Sequence, residues 1–139
     1  MSDLQTRILD LVKKHRLAAL ATITEDGKPW ARYVAINVAP DLTIRTATFR
    51  NSRKVAQVKN NPEVHLTCGY DGNATTSYVQ IQGRAEVTDD QRERHGLWND
   101  HFKAYFQGPD DPNYVVMVIR PYRIELMTDA SHQPQFWTR

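Results

Sequence analysis

The chain has 139 residues, 40% of them hydrophobic, with 18 basic against 16 acidic side chains and a formal net charge of +2. That length predicts a single domain over residues 1–139, whose core buries roughly two-thirds of the unfolded surface. The balanced charge argues against bulk attraction to nucleic acid or membrane, and the single cysteine excludes a disulfide framework or a multi-cysteine metal site; with no apolar signal core and no apolar run near ~18 residues, a cytoplasmic protein is expected.

Ser2 to Arg16 reads as a helix, with a Ser2/Gln5 capping box and an apolar stripe of Leu4, Ile8, Leu11 and Val12. Leu17 to Thr24 is a strand rich in alanine, and Glu25-Asp26-Gly27-Lys28 is a turn. In the second strand, Pro29 to Val38, Trp30, Arg32, Val34, Ile36 and Val38 share a face opposite Ala31, Tyr33, Ala35 and Asn37. Pro40-Asp41 turns into a third strand, Leu42 to Phe49, where Leu42, Ile44, Thr46 and Thr48 alternate with Thr43, Arg45, Ala47 and Phe49. Ser52 is placed to cap a short helix by accepting from a first-turn N–H, and Asn60-Asn61-Pro62 ends it. Glu63 to Tyr70 is a fourth strand, Asp71 to Ala74 a loop, and Thr76 to Val87 a fifth strand with Gly83 at a bulge or close approach. Thr88 and Gln91 fit a second capping box for a helix reaching about Tyr105. An irregular loop, 108–112, leads to a last strand, Tyr114 to Met127, interrupted or ended at Pro121. The tail, residues 128–139, carries Phe136 and Trp137, aromatics that predict docking on a partner subunit or over the site. Without a βαβ rhythm, six such strands predict a mainly β fold, an antiparallel sheet curled into a barrel with flanking helices.

The candidate site lies where the third strand hands over to the short helix. Free N–H groups and the positive end of the helix dipole meet Arg53 and Lys54 there. If the second and third strands form a hairpin about Pro40-Asp41, Arg32 falls opposite Phe49 or Thr48 and joins them. Three cations and two hydroxyls, Thr48 and Ser52, would suit a phosphate dianion. The alternatives are a capped surface helix with solvated Arg53 and Lys54, and an Arg32 that pairs with a carboxylate such as Glu25 or Asp26 or reaches solvent at the barrel rim. The histidines, His15, His65, His95, His101 and His132, lack metal-ligand spacing. Trp98, Phe102, Tyr105 and Phe106 suit core packing or a pocket wall.

The segments ALATITEDGKPWARYV, TATFRNSRKVAQVKNNPEV, YVQIQGRAEV and GPDDPNYVVMVIRPYRIEL resemble the flavin-binding split β-barrel proteins related to pyridoxamine 5′-phosphate oxidase, in particular the general stress protein 26-like branch. The resemblance runs from about Leu17 to Leu126. It implies a six-stranded antiparallel split barrel and a homodimer with FMN at the interface. Arg32, Ser52, Arg53 and Lys54 would hold the FMN phosphate, and Tyr33, Val34, Ala47 and Thr48 would lie along the flavin. The oxidase proper has a glutamine where this chain has Tyr78, and its C-terminal Trp and Arg pattern is not matched, so the resemblance stops short of oxidase activity. The expected function is an FMN-dependent oxidoreductase of a small molecule. Alternatives are deazaflavin or haem on the same fold, or a flavin-binding, stress-related module without turnover. A last reading has Arg45, Arg50, Arg53, Lys54 and Lys59 with Tyr33, Phe49 and Tyr78 hold single-stranded nucleic acid, against which the charge balance stands.

Overall fold

The computed structural model describes residues 2–72, 77–128 and 133–139. Helix α1 (Asp3–Lys14) begins as its sequence predicts, with Ser2 Oγ accepting from the Gln5 backbone N–H at 3.1 Å. The Gln5 amide does not close the box but donates to the Pro40 carbonyl at 3.4 Å. Ile8, Leu9 and Val12 are buried, so the apolar stripe of α1 packs on the barrel core.

The strands β1 (Leu17–Ile23), β2 (Pro29–Ala35), β3 (Asn37–Val38), β4 (Ile44–Phe49), β5 (Glu63–Cys68), β6 (Tyr78–Thr88), β7 (Tyr114–Met127) and β8 (Pro134–Thr138) form one sheet. Its order is β2-β1-β5-β6-β7-β4-β3, with β8 on β7, and every pairing is antiparallel. It curls about Leu20, Leu66, Ile81, Ile119 and Leu126 into a split antiparallel barrel with flanking helices, as the sequence predicts. The sheet has eight strands among the described residues instead of six. The expected second strand divides at Ile36, whose N–H turns to the Arg16 carbonyl at 2.8 Å, and the tail adds β8.

Strand pairing corrects the expected hairpin. Only Asn37 and Val38 pair with Arg45 and Ile44; β2 pairs with β1, so Arg32 lies opposite Leu20 and not Thr48 or Phe49. The local turn wins: Thr24 N–H reaches the Lys28 carbonyl at 2.8 Å and closes the β1–β2 hairpin. The barrel is therefore open between β2 and the Thr46–Phe49 part of β4. The third strand also starts later than expected, because Leu42 occupies the left-handed region at φ 73°. Its side chain is 1% exposed, and that burial offsets the strain.

Helix α2 (Arg53–Asn60) follows β4, with Val55 and Val58 inward. Helix α3 (Gln91–Leu97) is shorter than expected and is capped by Asp90, whose carboxylate accepts from Glu93 N–H at 3.2 Å. Thr88 Oγ1 accepts from the Asp90 N–H instead of capping the helix. Asn99 then starts a separate 3-10 helix, Asp100–Ala104, by accepting from His101 N–H, which is why no single helix reaches Tyr105. This segment covers a second apolar cluster, Phe106 with Tyr114, Val116 and Val118 of β7.

Gly83 sits at a register shift between β6 and β7, where a Cβ would meet the Arg120 carbonyl oxygen at 3.0 Å. Pro121 does not end β7. On one edge it falls in the gap between the β4 pairing, which stops at Ile119, and the β8 pairing, which begins at Arg123; on the other it pairs with Gly83 at the β6 register shift. The tail docks on its own chain through β8: Trp137 packs against the core and Arg123 lies over Phe136 at 4.3 Å. Neither aromatic lines the cleft described below. Part of the expected 71–74 loop, the first residue of the expected fifth strand and His132 lie outside the described residues.

Candidate functional site: a cationic cleft at the barrel split

Where β2 and β4 part, a cleft of about 250 Å³ opens. Its walls are Tyr33, Val34 and Ala35 of β2, Thr46 to Phe49 of β4, Lys54 of α2, and Phe102, Tyr105 and Phe106. The alternation in β4 explains the wall: Ile44, Thr46 and Thr48 are buried, while Arg45, Ala47 and Phe49 face outward. Phe49 packs on Phe106 at 4.8 Å and meets Tyr105 edge-on at 6.4 Å. A larger groove of about 730 Å³ continues past Ala35 and Ala47 toward Arg16, Arg45, Trp98 and His101.

Lys54 is the charged group in the smaller cleft. Burial, and after it the charge of Arg32, presses the Lys54 pKa below its ordinary value. Arg32 is pressed down likewise, first by burial and then by the charge of Arg53. Arg32 reaches α2 although β2 pairs away from β4, because its Nη2 donates to Gln57 one turn beyond Lys54. Among the described residues none of Arg32, Arg53 and Lys54 forms an ion pair with a carboxylate. Arg32 does not pair with Glu25 or Asp26: Asp26 binds Lys28 at 3.2 Å and the Thr24 hydroxyl. Arg32 instead donates to the Leu20 carbonyl at 3.2 Å, to Thr22 Oγ1 at 2.8 Å and to Gln57 Oε1 at 3.2 Å, all neutral acceptors. Arg53 lies over the Trp30 ring at 5.4 Å.

Ser52 is the N-cap residue of α2 by position, but its side chain makes no capping bond, contrary to expectation. Ser52 Oγ pairs with Thr48 Oγ1 at 3.2 Å, and the first turn of α2 holds no acidic residue. The helix start therefore presents N–H groups and cations with no internal anion to answer them.

Of the eight residues singled out in the sequence, Tyr33, Val34, Ala47, Thr48 and Lys54 line the cleft. Ser52 adjoins it through its bond to Thr48, Arg32 reaches α2 through Gln57, and Arg53 does not line it, being exposed over the Trp30 ring. Sequence reasoning missed Thr22 and Gln57, which hold Arg32. Gln57 was within reach of it, since it stands one turn beyond Lys54 on the same helix face. It also missed Ala35, Thr46 and Phe49 as walls. Among the described residues, no group of three metal-binding side chains exists. No helix among them is long and apolar enough to cross a membrane.

The sequence profile of the pyridoxamine 5′-phosphate oxidase family matches residues 4–128. General stress protein 26 of Bacillus subtilis is 33% identical over 133 residues, 95% of this chain and 94% of that protein. The crystal structure of general stress protein 26 from Bacillus anthracis superposes with a TM-score of 0.85 at 27% identity, over 99% of this chain and 100% of that one. A haem-binding protein from Mycobacterium smegmatis shares the fold, with a TM-score of 0.76 at 16% identity over 96% of this chain and 56% of that one. Sequence match and barrel geometry agree: the chain belongs to the pyridoxamine 5′-phosphate oxidase family, close to general stress protein 26.

Proposed function

We propose that the chain binds FMN, with the phosphate held by Arg32, Lys54, Arg53, Ser52 and the free N–H groups of α2, and the ring system along Tyr33, Val34, Ala47 and Thr48. The observation that carries this reading is the set of cations beside the cleft with no carboxylate partner among the described residues. Uncompensated, partly buried charges cost stability, and a phosphate dianion would offset that cost. The cleft walls are otherwise apolar and aromatic, which suits a planar ring.

When bound, the flavin would supply hydride acceptance and donation. The chain's own part is to orient it from the phosphate end and to shield it from water with Phe49, Phe102 and Tyr105. The adjoining groove would admit a small-molecule substrate, making the protein an oxidoreductase. Haem is the weaker reading, because the smaller cleft offers no His, Cys or Met as an axial ligand among the described residues.

A homodimer is part of the same proposal. On the outer face of β1 and β2, Leu17 is 63% exposed and Tyr33 81%, beside Ala31 and Ala35. A second copy would cover this apolar face and complete the cleft.

Three experiments test the function. The absorption spectrum of the purified protein should show oxidised flavin; a deazaflavin or haem spectrum would contradict the FMN assignment. Equilibrium titration of the Arg32→Ala/Lys54→Ala double variant should give FMN affinity lower by ~100-fold or more, the loss of two charge-assisted bonds to one phosphate. Unchanged affinity would overturn the phosphate site. Reduction of bound flavin by NAD(P)H or another small reductant, followed by transfer to a substrate, separates an oxidoreductase from a flavin-binding module.

A further inference from the structure

The polar contacts of Arg32 follow a pattern. Nη1 donates to Leu20 O and Thr22 Oγ1, and Nη2 donates to Gln57 Oε1. Thr22 Oγ1 in turn donates to Gln57 Oε1 at 2.5 Å, so the two acceptors are tied to each other. Thr22 is completely buried, and Gln57 is half-buried on α2, one turn beyond Lys54.

This closed triangle engages the end-on fork of the guanidinium. Of its five N–H donors, Nε–H and the outer Nη2–H are left. Those two lie side by side and parallel, the spacing that grips two oxygens of one phosphate. Because all three acceptors are neutral, the guanidinium keeps its whole charge for a ligand. A carboxylate in place of Gln57 would orient Arg32 equally well but cancel that charge.

We propose that Thr22 and Gln57 are positioning residues that fix Arg32 with its side-on edge free, and so set the site's preference for a phosphorylated flavin over riboflavin. This rests on the phosphate reading above and assigns a role to residues that do not line the cleft.

The test is the ratio of riboflavin to FMN dissociation constants, measured by fluorescence titration. Wild type should favour FMN by ~100-fold or more. Gln57→Leu and the near-isosteric Thr22→Val should lower the ratio about tenfold through FMN alone, with riboflavin affinity unmoved. Gln57→Glu should lower it at least as far, although Arg32 stays anchored. A merely structural role would weaken both ligands together and leave the ratio intact, and that result overturns the proposal. In the ligand-free protein, the nitrogen-15 spectrum should show a resolved Arg32 Nη–H signal, held by Thr22 and Gln57, that broadens in Gln57→Leu. An unchanged signal would overturn the positioning role whatever the flavin results. A wild-type ratio near one, with that signal behaving as expected, would place the failure in the phosphate reading and not in the brace.

Discussion

Lys54 is half-buried, and burial first and the charge of Arg32 second hold its pKa below the ordinary value; Arg32 is pressed down by burial and then by Arg53. A folded-state pKa below the unfolded one means that the proton on Lys54 opposes folding. Stability of the ligand-free protein therefore rises as pH climbs through the depressed Lys54 pKa toward its ordinary value. Lys54→Met removes the burden, so it should raise the Tm of the ligand-free protein by a few degrees while weakening FMN by about tenfold or more. Thermal melts paired with titrations check both signs; a lower Tm in the ligand-free variant would contradict the account. FMN affinity should fall at high pH as Lys54 loses its proton, and also below about pH 6 as the phosphate regains its second proton. Cys68 behaves oppositely to a reactive thiol. Burial pushes it up to about 11, so thiol reagents at neutral pH should label it only as fast as the protein unfolds.

Elements were more legible in the sequence than their partners. The period-two pattern of β4 and the Asn-Asn-Pro stop of α2 fix those two segments locally, and both occur. Gly83 was likewise readable, because a glycine inside a strand signals close approach. Gly83→Ala drives a Cβ to 3.0 Å from Arg120 O and should cost about 1–3 kcal/mol in urea unfolding. The β2–β4 hairpin was misread because register depends on which turn closes first, and the Thr24–Lys28 turn claims β2 for β1. The Thr22–Gln57 brace was hidden for the same reason, since it joins β1 to α2 only after the barrel has curled. The cap of α3 moved from Thr88 to Asp90, two good capping residues two positions apart that sequence cannot rank. What ties α3 to β4 is the bidentate pair of Arg45 with Glu93 at 2.6 and 3.2 Å. Glu93→Gln should destabilise by about 1 kcal/mol and raise hydrogen exchange in α3 first.

On the scale of the molecule, the split between β2 and β4 makes the cleft. A closed ladder there would satisfy the backbone and leave no opening. The same open region exposes the β1–β2 face that a second copy would cover. Light scattering should give twice the chain mass of 16.0 kDa, and Leu17→Asp/Tyr33→Asp should give a monomer with weaker FMN binding. A monomeric wild type that still binds FMN fully would show the site to be complete in one chain.

The central claim is that a phosphate dianion is held among Arg32, Arg53 and Lys54. Phosphorus NMR of FMN with the protein, recorded between pH 5 and 8, reads that phosphate itself. The account predicts a bound resonance displaced from free FMN and nearly constant across the range, because the cations hold the second pKa well below its free value near 6. A bound resonance that titrates like free FMN would put the phosphate in solvent and contradict it.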